Sequence, residues 1–132
     1  MLRDPRRTGY IAVALPEEMP VNETLELGTR LREAVGLGLD AIVVNGVYPA
    51  RFSGKEADAL RTAAANGLAP EAQAAVAAAL TEHERARSQR AHVRRLKREA
   101  EAPVHTLPFL FDADVGLDEY STLAAKLGRD LG

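Results

Sequence analysis

The chain has 132 residues, 46% hydrophobic and 27% charged, with a formal net charge of -2. This size and balance suit one globular domain with a modest core, and no global field would draw in nucleic acid or an anionic membrane. With no Cys, disulfides, thiol catalysis and thiolate metal sites are excluded, as fits a cytoplasmic protein, and no apolar run approaches the roughly 20 residues of a membrane helix.

Tyr10 to Leu15, "YIAVAL", is a short apolar run between Gly9 and Pro16. It reads as a buried parallel strand rather than a signal peptide, because Pro16, Glu17 and Glu18 follow at once. In "NETLELGTRLREAVG", Leu27, Leu31, Ala34 and Val35 recur at helical spacing, with Asn22 as the expected N-cap and Gly36 as the stop. "DAIVVN", Asp40 to Asn45, is a second strand. Ser53 and Glu56 have capping-box spacing, which predicts a helix from Gly54 to about Ala65, ended by Asn66-Gly67. Pro70 opens a longer helix to about Glu101, and Pro103 breaks it. A third strand follows around Val104 to Leu107. Leu117, Tyr120, Leu123, Ala124 and Leu127 predict a last helix.

This alternation predicts an α/β fold: a small parallel sheet of about three strands flanked by helices, in a single domain over residues 1–132. The strands are apolar throughout, so helices are expected on both sheet faces. The two sheet edges invite pairing with another chain or with a missing part of the same chain.

Gly54-Lys55 resembles the end of a phosphate loop but fails its requirements. Pro49 stands where the first Gly belongs, and Glu56 follows the Lys in place of Ser or Thr. A capping box explains Ser53 and Glu56 better. In a parallel sheet all three strand ends meet at one edge, where ligands of open α/β sheets bind. That edge would carry Asn45, the loop Leu15 to Glu18, and the loop Leu107 to Phe111. The Asn45 amide can both donate and accept, which suits the edge of a purine ring. By strand position alone, an Asn capping its own loop is the stronger reading. Glu17 and Glu18 read as solvated carboxylates rather than an acid–base pair. His83, His92 and His105 lack the spacing of a helical metal pair, so no metal site is expected. From Glu82 to Glu101, seven Arg or Lys stand against four Glu. This reads as a solvated helix packed through Ala86, Gln89, Val93 and Leu96, with no interleaved aromatics for nucleic acid.

"YIAVALPEEMPVNETLELGTRL", "AIVVNGVYP" and "VHTLPFLFDADVGLDEYSTLAAKL" resemble, in order and spacing, the C-terminal part of the ArsA-like ATPases. These are the anion-transporting and tail-anchored-protein targeting enzymes of the MinD-like P-loop branch. The resemblance is weakest from Phe52 to about Thr81. It implies that Asn45 contacts adenine and that Pro108, Phe109 and Leu110 pack on the purine, which reverses the reading of Asn45 from position alone.

The family's Walker A lysine and switch residues have no counterpart here, so the chain is expected to be the adenine-side portion without catalytic residues. The resemblance implies ATP or ADP with magnesium in the intact parent, and no tightly bound nucleotide or ATP turnover for this chain. It implies as partner either the N-terminal ATPase portion or a homo-oligomer mate across the sheet edge, with a membrane protein as a client of the parent. The start at "MLRDPRRTGY", directly before a strand, fits such a portion. The alternative is a stand-alone interaction or dimerisation module on a degenerate α/β scaffold.

Overall fold

The computed structural model describes residues 4, 6, 8–111 and 115–131. Residues 112–114, inside the last stretch of the family resemblance, lie outside the described residues, as do 1–3, 5, 7 and 132. The elements run β1 (Ile11–Ala14), α1 (Glu18–Val35), β2 (Ala41–Val47), α2 (Gly54–Ala65), α3 (Pro70–Glu99), β3 (Val104–Pro108) and α4 (Leu117–Leu131). The strands form one parallel sheet in the order β1-β2-β3, as the strand–helix alternation predicts. β2 is central because it is the strand buried on both faces, and Ala41 through Val44 are all buried.

Register and pleat together place the core. Ala12 pairs with Ile42 and Ala14 with Val44, while Ile42 and Val44 pair with Val104 and Thr106. Successive side chains alternate between faces, so these residues share the face that α1 and α3 cover. There Ala12, Ile42 and Val44 pack with Val21 of α1 and Val93 and Leu96 of α3. Each large side chain removed from water here contributes roughly 1.5–3 kcal/mol.

The second face is not covered as the apolar strands suggest. Ala41 and Val43 are buried on it, and α4 packs against β3. On β1, however, Ile11 is 57% and Val13 is 70% exposed. The cause is the placement of the helices: α1 and α3 share one layer, α2 packs outside them on α3, and α4 alone lies against β3.

Helix ends follow local chemistry with one correction. α1 starts at Glu18, with Glu17 at the N-cap, so Asn22 lies inside the helix. Pro20 falls in the first turn, where its missing N–H costs nothing. Asn22 Oδ1 instead accepts a hydrogen bond from Arg95 Nη1 at 2.8 Å, tying α1 to α3. α1 ends on Gly36, whose φ of 78° suits glycine, and the Gly36 N–H donates to Arg32 O at 2.9 Å. The Arg32 guanidinium grips Glu101 beyond α3, with Nη1 to Oε1 at 2.8 Å.

Candidate functional site

β2 does not stop at Asn45, where the sequence pattern places its end. It continues through Gly46 to Val47. Val44 pairs with Thr106 and Val47 with Pro108, so β2 carries one residue more than β3 between these pairs. This is a β-bulge, and Gly46 takes the left-handed conformation at φ 75° that it requires. The bulge falls at the carboxyl edge of the sheet. It leaves Asn45 exposed, with no side-chain hydrogen bond to any described residue. Asn45 therefore does not cap its own loop.

The segment after β3 closes over the bulge. The Phe109 N–H donates to Val47 O at 2.9 Å, and Phe109 Cδ2 lies 3.9 Å from where a Gly46 Cβ would stand. Pro108 ends β3, Leu110 is half-buried, and Phe109 is 40% exposed. Three rings gather here. Tyr48 meets Phe109 at 4.6 Å and Phe111 at 5.3 Å, and Phe109 meets Phe111 edge-on at 4.9 Å. Two guanidiniums lie over the outer rings: Arg51 is 4.8 Å from the Phe111 centroid and Arg85 is 4.9 Å from that of Tyr48.

Gln89 of α3 supports the cluster from beneath. It is buried, accepts from the Tyr48 N–H at 2.8 Å, and points its Nε2 at Gly46 O from 3.4 Å. Arg51 Nε also lies 2.7 Å from Glu82 Oε1. That approach is out of line for a hydrogen bond, so the buried oxygen gains charge compensation but no donor.

The structure thus brings Asn45, Pro108, Phe109 and Leu110 to one edge, as the parallel topology predicts. Sequence reasoning missed Tyr48, Arg51, Arg85, Gln89 and the role of Phe111. The available signal was an aromatic at each flank, Tyr48 three residues past Asn45 and Phe111 two past Phe109. An exposed amide beside partly open rings and cations can hold a flat polar ring, with the amide reading its edge.

Of the remaining sequence candidates, Glu17 and Glu18 follow β1 at this same carboxyl edge, because Ala14 pairs in parallel with Val44. Ser53 and Glu56 form the expected capping box: Glu56 Oε2 accepts from the Ser53 N–H at 2.8 Å, and Ser53 Oγ accepts from the Glu56 N–H at 3.3 Å. The Ser53 N–H, followed by its hydroxyl, holds the Glu56 carboxyl below the ordinary carboxylate range. Glu17 and Glu18 are exposed at the start of α1. His83 is buried on α3, while His92 and His105 are half-buried. Among the described residues no helix is long and apolar enough to cross a membrane.

No protein-family model matches the chain, and no curated protein matches it.

Proposed function

We propose that the carboxyl edge of this sheet is the adenine-side half-site of an ArsA-like ATPase, in which the chain supplies purine contacts and completes a larger sheet. Asn45 carries the reading: it stands exposed at the edge of the central strand, its amide unengaged, beside the bulge that draws in Phe109. Asn45 would read the purine edge, with Pro108, Phe109 and Leu110 as the apolar contact. The parent's ATP and magnesium would be anchored by phosphate-binding groups on its other portion, since helix N-termini and backbone donors supply most of that affinity. The chain alone would bind nucleotide weakly and would not turn ATP over.

The test is an amide NMR titration of the chain with magnesium-ADP. Saturable shifts confined to Asn45, Gly46 and Leu107 to Phe111, lost in Asn45→Ala, support the half-site. A well-dispersed spectrum that does not move at millimolar nucleotide rejects it for this chain.

A second reading is an interaction module that pairs through β1. The exposed Ile11 and Val13, on one face of an edge strand, favour it. A homo-oligomer mate or the parent's N-terminal portion could cover the same strand. Sedimentation of the chain alone separates these cases, because only the first self-associates.

A further inference from the structure

We propose that the cleft between α2 and α3 is a binding site for a small polyphosphate anion, separate from the strand-end edge and independent of the purine reading. The cleft holds about 630 Å³. On α3 it is lined by His83, Arg87, Arg90 and Arg94, and on α2 by Arg61, with the carboxylates Glu84 and Asp58 also in the lining. The α3 residues recur at i, i+4, i+7 and i+11. They form one stripe about 16 Å long, turned roughly 100° from the stripe of Ala86, Gln89, Val93 and Leu96 that faces the core. Packing of α3 on the sheet therefore does not explain the cations.

Their pairing leaves an unbalanced positive surface. Arg61 is engaged by Asp58, at 2.7 Å, and by Glu84 across the cleft. Arg87 has only a loose contact with Glu84, at 3.8 Å. The Arg90 and Arg94 side chains make no ion pair or hydrogen bond with any described residue. His83 lies among these cations. It is only 8% exposed, it lines the cleft, and its ring has no hydrogen-bond partner among the described residues. An anion in the cleft would give the imidazole N–H an acceptor.

Charge selects the occupant. Residues 82–101 carry seven cations against four carboxylates in a chain of net charge -2, so the remaining surface is acidic. An acidic protein would be repelled by that surface. A small anion responds only to charges within about 8–10 Å. Adjacent guanidiniums one helical turn apart match the closely spaced, multiply charged oxygens of linked phosphates, each able to take a two-pronged contact.

Inorganic tripolyphosphate titrated into the full chain, followed by NMR and calorimetry, is the test. Saturable shifts at the His83 ring and at Arg87, Arg90 and Arg94 are expected. Arg90→Gln with Arg94→Gln should weaken binding by roughly a hundredfold, about tenfold for each charge-assisted contact. Both positions lack partners, so the double variant should stay folded, as the same spectra report. Glu84→Gln should tighten binding, because it releases Arg61 and Arg87. Three results would overturn the site: no saturable shift at low salt, an affinity unchanged in the double variant, or an acidic helical peptide that binds the cleft where tripolyphosphate does not.

Discussion

Gln89, in the middle of α3, accepts a hydrogen bond from the backbone N–H of Tyr48 at 2.8 Å, just past the end of β2. One buried side chain on the longest helix thus fixes the path of the chain where the central strand leaves the sheet. The same amide points its nitrogen at Gly46 O. Gln89→Leu keeps the bulk but strands the Tyr48 N–H, and an unpaired buried donor costs about 1–3 kcal/mol. Chemical denaturation should show a loss of that size, and the Tyr48 and Phe109 resonances should broaden or shift. An unchanged stability would mean that water satisfies the Tyr48 N–H as well as Gln89 does.

Gly46→Ala probes the bulge. Its new Cβ would meet Phe109 at 3.9 Å, an ordinary contact, so no clash is expected. The φ of 75° is the obstacle, and holding a non-glycine residue there costs about 1–3 kcal/mol. Denaturant midpoints of Gly46→Ala and Gly54→Ala separate backbone strain from loss of glycine, because Gly54 has an ordinary helical φ and open space around it.

Asn45→Ala should leave stability within about 0.5 kcal/mol, as for other exposed, unpaired positions. Under the half-site reading it should abolish the shifts caused by magnesium-ADP. Shifts that persist in Asn45→Ala would place the nucleotide elsewhere.

Truncations on the two faces of the sheet should differ sharply. Leu96→Ala removes a fully buried side chain from the α1–α3 core and should cost about 2–5 kcal/mol. Val13→Ala should cost little, because Val13 is 70% exposed. Under the interaction-module reading, Val13→Lys should convert a sedimenting oligomer to monomer without unfolding it.

Acid should destabilise the fold through three carboxyls held below the ordinary carboxylate range. The Ser53 N–H lowers Glu56, the hydrogen bond from Arg32 lowers Glu101, and the Gly116 N–H lowers Glu119. A depressed carboxyl binds its proton less readily folded than unfolded. Its contribution is therefore complete above the unfolded pKa and is lost as pH falls through the folded one. Stability should be flat near neutrality in this respect and decline below the ordinary carboxylate pKa. Glu56 and Glu101 are solvent-exposed and Glu119 is only half-buried, so the decline should be shallow. Glu56→Gln should make it shallower still, as measured by denaturation midpoints between pH 6 and pH 3.

Element type and order were legible in the sequence because they rest on local patterns. Three apolar runs became strands in the expected order, though β2 runs on past Asn45 to Val47, and the Ser53–Glu56 capping box and the Pro70 helix start stand where those patterns put them. The parallel sheet followed from their alternation, and the gathering of Asn45, Pro108, Phe109 and Leu110 followed from parallelism. Asn22 misled because a good N-cap residue is not needed where Pro20 already fits the first turn.

What only the tertiary structure decided depends on register and on which layer each helix joins. The bulge at Gly46 exists relative to β3, so neither strand alone encodes it. The bareness of Ile11 and Val13 arises because α1 and α3 share the opposite face, while an apolar strand reads the same whether one face or two are covered. The Arg stripe of α3 became one wall of a cleft only when α2 packed beside it, since the spacing of charges along a helix does not say what lies across from them.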